Sequence, residues 1–254
     1  MKISKYIFLH IGLWALLACS VPSNGDKVEH INKDDLFFPI DEIQYNNLEG
    51  NGPSYSIVGW SENGKICYLK NSNFGGFGGC LYELKVMDLV TDKELNSIVL
   101  AELSPTKNEE EGGNCDIENS WDNQIFRISN LLKNYNIEPE IHNTFMEENK
   151  INLLENKYEF KLSQTQKSTF DNYNCSGKNI LSYSLKVIHH GKAVTVSKNS
   201  NLNADGIKIL GYYNSPLEDR ILIVLEYTNW GCDEFDHESN IIMVGCELNP
   251  KWWK

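Results

Sequence analysis

The sequence predicts a mainly β domain of antiparallel meanders, suggesting two blade-like repeats, with one amphipathic helix packed on the sheet. Three observations carry this. Apolar and polar residues alternate with a period of two over 81–90 and again over 181–187. Short apolar runs recur along the chain, separated by Gly, Asn and Asp turns. A single long stretch, 120–135, switches to a helical period. An α+β arrangement is the alternative. The domain is expected over residues 37–254.

After the turn signal Gly50-Asn51-Gly52-Pro53, strands are expected at Tyr55 to Trp60 and Lys65 to Lys70, joined by Ser61-Glu62-Asn63-Gly64. In the third strand, 81–90, Tyr82, Leu84, Val86 and Val90 form the buried face, and Glu83, Lys85 and Leu89 the open one. A fourth, Leu95 to Ala101, follows the turn Thr91-Asp92-Lys93. Residues 104–118, with Glu109-Glu110-Glu111-Gly112-Gly113, read as an acidic surface loop. Trp121, Ile125, Ile128, Leu132 and Tyr135 then make the stripe of a helix over 120–135. Asn119 or Ser120 is its expected N-cap, Asp122 suits its positive end, and Pro139 bars its continuation.

Residues 140–155 fit neither period, since Phe145, Met146, Ile151, Leu153 and Leu154 are irregularly spaced. Strands return at Tyr158 to Leu162, Leu181 to Val187 and Ala193 to Val196, the last after a turn at His190-Gly191. Ile207 to Tyr213, Arg220 to Thr228 and Asn240 to Leu248 complete the set. The run Ile221-Leu222-Ile223-Val224-Leu225 is apolar at successive positions, which predicts a central strand covered on both faces. The segments 57–69 and 209–225 share an aliphatic-x-Gly-aromatic strand, a polar turn, a basic residue and an apolar strand. Each leads to a later acid-Leu pair, Asp88-Leu89 or Glu247-Leu248, so a repeated three-strand meander is expected.

The amino terminus has another character. Ile7 to Ala18 form a twelve-residue apolar run behind Lys2 and Lys5, ending in Leu16-Leu17-Ala18-Cys19-Ser20. Such a run is too short for a bilayer, which takes about 20 residues, and suits a secretion signal. This layout resembles the signal and lipobox of bacterial lipoproteins. The resemblance implies removal of residues 1–18, lipidation at Cys19, and attachment to the bacterial cell envelope through several acyl chains. In a Gram-negative cell that means the outer membrane, facing the periplasm or the surface. Residues 19–36, polar and aperiodic, are expected to form the tether.

Without the signal, 21 basic and 35 acidic residues leave a net charge of −14, a balance that repels phosphate backbones and argues against nucleic acid. Beyond Cys19, six cysteines remain, Cys67, Cys80, Cys115, Cys175, Cys232 and Cys246, an even number that favours disulfides in an exported chain. Cys67 with Cys80, flanking a glycine-rich connection, is the expected local pair. Cys232 with Cys246 and Cys115 with Cys175 follow by elimination.

The first meander, G-W-S-x-x-G-K-I-x-Y at 59–68 and L-x-V-x-D-L at 84–89, resembles a blade of the TolB-type propellers. The order of elements over 55–248 resembles a family of uncharacterised predicted secreted bacterial proteins, although the closing loop here is Trp230-Gly231-Cys232-Asp233-Glu234-Phe235-Asp236. That resemblance carries no functional residue.

No catalytic constellation is expected. G-x-S-x-G and P-loop patterns are missing, and Gly75 to Gly79 precedes a strand, where phosphate cradling needs a helix. No metal is expected either: Asp233, Asp236 and His237, with Glu234 and Glu238, crowd one loop but lack a calcium-binding frame. Asn201 to Gly206 has alternating oxygen donors, yet Tyr212 stands where a bidentate glutamate is needed. His189 and His190, adjacent on a strand, are expected to point to opposite faces, with one exposed in the turn. Phe74, Phe77 and Trp230 are the candidate binding surface, for an envelope protein or glycan. The expected role is non-catalytic binding or envelope structure, without a cofactor; an envelope hydrolase with scattered site residues is the alternative.

Overall fold

Alternation along the chain resolves into a series of antiparallel strands with two short helices set between them. The computed structural model describes residues 43–44, 53–73, 79–103, 115–139, 145–147, 158–168, 179–230 and 237–248, all within one compact unit, Asn32–Lys254. In chain order come β1 (Ile43–Gln44), β2 (Ser54–Trp60), β3 (Lys65–Asn73), β4 (Cys80–Asp88), β5 (Lys93–Leu103), α1 (Ile117–Asn123), α2 (Ile125–Tyr135) and β6 (Glu138–Pro139). Then follow β7 (Phe145–Glu147), β8 (Tyr158–Ser168), β9 (Asn179–His189), β10 (Lys192–Asn203), β11 (Gly206–Asn214), β12 (Arg220–Trp230) and β13 (His237–Glu247). The expected signal at 1–18, Cys19 and the expected tether through residue 36 lie outside the described residues.

The strands form three sheets. The first has the order β1-β2-β3-β4-β5, with β6 also pairing β2. A middle sheet runs β13-β12-β11-β7, and an outer sheet β10-β9-β8. The central strand of each meander is wholly paired, and its side-chain parity sets the stacking order. From β12, Ile221, Ile223 and Leu225 meet Leu181, Leu185 and Val187 of the outer sheet. Leu222 and Val224 face Ile57, Trp60 and Ile66 of the first sheet. The two-sided burial expected for 221–225 is therefore present, and each such side chain contributes about 1.5–3 kcal/mol. On its other face the first sheet buries Cys67, Leu69, Leu84, Val86 and Leu100 against Trp121, Ile128 and Leu132 of the helices.

The helical segment departs from the expected single helix. It begins one turn earlier, inside the expected acidic loop, because Asp116 Oδ1 accepts the Asn119 N–H at 3.0 Å and caps α1 in place of Asn119 or Ser120. It breaks at Gln124, whose Nε2 donates to Leu100 O at 2.9 Å and so fastens the helix junction to the edge strand β5. The stripe itself is as spaced: Trp121, Ile128 and Leu132 are buried, with Ile125 and Tyr135 packed beside them. Asn136 ends α2 in the left-handed region at φ 52°, and Ile137 N–H returns to Leu132 O, ahead of Pro139.

At the end of β4 the expected faces are reversed for two residues. Leu89 is buried and Val90 is 64% exposed, because the strand stops at Asp88 and the turn rotates the chain. Among the described residues, no helix is long and apolar enough to cross a membrane.

The two similar segments occupy matching frames. In the first, β2 and β3 slip register between Ile57 and Gly59; in the second, β11 and β12 slip between Ile209 and Gly211. Each glycine lies where a short fourth strand crosses, β6 at Gly59 and β7 at Gly211. A Cβ there would stand 2.2 Å from Glu138 O or 2.3 Å from Met146 O, so only glycine fits. Beyond the hairpin, Leu89 N–H donates to Gly64 O, and Leu248 N–H to Asp219 O, both at 2.7 Å.

Candidate functional site

Most residues singled out from the sequence fall outside the described part of the chain. Phe74, Phe77, Asp233, Glu234, Asp236, Cys175, Cys232 and Cys19 are among them, and for Trp230 and His237 the backbone alone is described. The flanking strand ends do share one end of their sheets. Gly64 and Leu89 lie against Arg220 and Gly245, so β3 and β12 start together, and the connections 74–79 and 231–236 leave from the opposite end. They leave from two stacked sheets and not from a shared one.

The cysteine pairing differs from every expected pair among the described residues. Cys80 is bonded to Cys115, with Cα atoms 6.0 Å apart, which ties the start of β4 to the segment leading into α1. Cys67 cannot reach Cys80: it opposes Val86 in the β3–β4 register while Cys80 opposes Asn73, about 20 Å further along the strands. Cys67 and Cys246 are free and buried. Burial raises the Cys67 thiol far above its ordinary range, and Cys246 is pushed up to about 12 by burial, against the opposing pull of Arg220. Neither is a thiolate at neutral pH, so neither is an activated nucleophile.

Three side-chain groupings stand out among the described residues. On the middle sheet Glu226 is 1% exposed, accepts a hydrogen bond from Ser239 Oγ, and has Lys208 Nζ 2.7 Å from its Oε2 as a charge partner. On the first sheet, Lys85 lies 3.2 Å from Glu83 and 3.0 Å from Glu94, beside Lys70. Burial lowers the Lys70 pKa. At Lys85 burial works the same way, but the hydrogen bonds and charges of Glu94 and Glu83 outweigh it and the net shift is upward. Burial, then the charges of Glu94 and Glu83, raise Tyr68. These charges neutralise one another locally, which suits holding an edge together better than catalysing a reaction.

The third grouping is aromatic. Tyr158 stacks on His189 with ring centres 4.3 Å apart, and His190 approaches His189 at 4.0 Å. His190 is exposed in the turn, as expected, but the rings do not diverge, because its φ of 48° takes it off the strand. With Gly191 at φ 77°, it makes the two-residue hairpin turn. Among the described residues no group of three His, Cys, Asp or Glu side chains is placed to hold a metal. At 201–206, Asp205 accepts a hydrogen bond from Asn179 Nδ2 and its N–H bonds Thr228 O, so that segment is a strand end and a turn.

Charge is divided unevenly, and this the sequence reading missed. The strands of the outer sheet carry five lysines against Glu159 alone, leaving 18 of 23 basic and 34 of 35 acidic residues elsewhere. Since Leu181, Tyr183, Leu185 and Val187 point inward, the residues between them face away. Register then places Lys161 opposite Lys186, with Thr195 beyond it, and Ser163 opposite Ser184, with Lys198 beyond. Lys161, Lys167, Lys186 and Lys198 are all exposed. Lys161, Lys186 and Lys198 make no ion pair among the described residues, although like charges directly opposed on a sheet are destabilising. The alternation over 181–187 signals that Lys186 points outward, whereas Lys167 and Lys198 lie beyond the expected strands, which the structure extends to Ser168 and Asn203. The mutual register of these lysines depends on how the hairpins pair.

No family model, no curated protein and no solved structure matches the chain.

Proposed function

We propose that the chain is a lipid-anchored protein of the bacterial cell envelope with a non-catalytic role, holding an envelope partner at the membrane to which it is attached. One observation carries this reading: the apolar run Ile7 to Ala18 behind Lys2 and Lys5, closed by Leu16-Leu17-Ala18-Cys19. A thioether-linked lipid at Cys19, with its acyl chains, supplies about 0.8 kcal/mol per buried CH₂, enough with several chains for lasting attachment. The bridge between Cys80 and Cys115 suits an oxidising compartment. The broad β surfaces suit contact with a large partner. Cys19→Ser is the test. It should abolish labelling by a fatty-acid analogue and release the protein from the membrane fraction; a variant still labelled and membrane-bound refutes the anchor.

A further inference from the structure

We propose that the outward face of β8, β9 and β10 is a docking surface for anionic phospholipid headgroups, so that the tethered domain lies with this sheet against its own membrane. The proposal rests on the lipid-anchored reading for the choice of partner, and on the sheet itself for the chemistry. The face is formed by rows of lysine and hydroxyl side chains, Lys161–Lys186–Thr195 and Ser163–Ser184–Lys198, with Lys167 further along β8. Glu159, opposite Ile188 and two residues before Lys161, is the one acid of these strands and shares this face, but it makes no ion pair with the lysines among the described residues. The opposed lysines are a cost that an external anion relieves. Phosphate oxygens accept hydrogen bonds from ammonium and hydroxyl groups alike.

Shape and charge favour a membrane over other anions. Three strands of 11 to 12 residues make a broad sheet, and among the described residues its outward lysines are all exposed, a geometry matched to a plane of headgroups more than to one small ion. The acidic excess lies in the rest of the molecule, so an anionic plane attracts this sheet and repels the remainder, which orients the domain. Tether length allows it: 23 residues separate Cys19 from Ile43, a contour of at most about 80 Å. Each lysine near an anionic surface strengthens binding about fivefold, an effect lost as salt shortens the screening length.

The test uses the chain from residue 19 onward with Cys19→Ser, which bears no lipid and keeps every residue of the three cores, all between Tyr55 and Leu248. Flotation with phosphatidylcholine vesicles, with and without phosphatidylglycerol, should show binding only when phosphatidylglycerol is present. The triple variant Lys161→Glu, Lys186→Glu, Lys198→Glu should lose about a hundredfold or more in affinity. A matched variant, Lys93→Glu, Arg127→Glu, Lys133→Glu, changes the net charge equally and should retain most of the binding. Should the first variant unfold, the corresponding Lys→Gln triple replaces it and should still lose affinity. Equal binding to both vesicle types, or equal loss in both triple variants, overturns the proposal. So does displacement by inorganic phosphate or by short duplex DNA at concentrations below those of the competing lipid, which would assign the face to a soluble anion or to nucleic acid. Because no lipid is attached, binding here with failed labelling at Cys19 would remove the anchor and leave the surface, while the reverse would leave the anchor alone.

Discussion

The two meanders, β2-β3-β4 with β6 and β11-β12-β13 with β7, share a backbone plan but differ in what they lie on. In the first, Trp60, Ile66 and Met87 face the middle sheet, and Cys67, Leu69 and Val86 face helices. In the second, Tyr212, Ile221 and Cys246 face the outer sheet, and Leu222, Val224 and Met243 face the first sheet. The matching positions point the same way along the stack, so each layer covers the one before it. Two residues before the terminal acid of each meander the difference is sharp. Val86 precedes Asp88 and meets helix side chains, whereas Gly245 precedes Glu247 and meets Leu89 backbone, where a Cβ would lie 2.0 Å from the carbonyl oxygen. The two meanders thus share residues where a common backbone plan demands them and differ where their neighbours differ.

The covers should be equally necessary. Ile128 and Leu185, both wholly buried, belong to the helix cover of the first meander and the outer-sheet cover of the second. Ile128→Asp and Leu185→Asp each place an unpaired carboxylate in an apolar layer, a cost of several kcal/mol that should unfold the domain at neutral pH. Circular dichroism and thermal melting check this. An unaffected melting temperature for either would mean that its layer is not packed there.

Gly59→Ala and Gly211→Ala come next in size. Both place a methyl against backbone that side-chain rotation cannot clear, so each should cost about 1–3 kcal/mol in urea denaturation, and by similar amounts. A neutral result at one and a large loss at the other would break the correspondence between the crossings of β6 and β7.

The smallest effect concerns the seam between the sheets, where Asp92 Oδ1 accepts the Gly245 N–H at 2.8 Å. Asp92 as a residue stays exposed, but partial desolvation of its carboxyl at the seam, helped by the charge of Asp88, raises its pKa, only partly offset by that hydrogen bond and by Arg220. A carboxyl raised in the folded state binds its proton more readily there than when unfolded, so stability rises as pH falls through the raised value and levels off below the ordinary one. Asp92→Asn keeps the acceptor without the charge. It should be slightly more stable at pH 7, with the advantage vanishing in acid, when melting temperatures are compared across that range; a destabilised variant at pH 7 would show that the charge is favourable.

Much of this arrangement was legible because it depends on local pattern. The alternation of Leu181 to Val187, the spacing of Trp121 to Tyr135 and the apolar run 221–225 each report how many faces are covered. What was hidden depends on which neighbour supplies the cover. The Cys80–Cys115 bridge exists because the chain before α1 returns to the start of β4, and no spacing of cysteines expresses that return. Leu89 and Val90 exchanged faces because a strand end rotates the chain within one residue. The lysine face was concealed twice over, by a net charge of −12 that averages away a local excess, and by hairpin register that alone sets Lys161 beside Lys186.

The proposed attachment of this domain to a membrane is tested most directly by the intact mass of the protein extracted from bacterial envelopes. The expected mass is that of a chain beginning at Cys19 and carrying a diacylglyceryl group, with or without a further amide-linked acyl chain. A mass matching an unmodified chain, or one beginning elsewhere than residue 19, would contradict it.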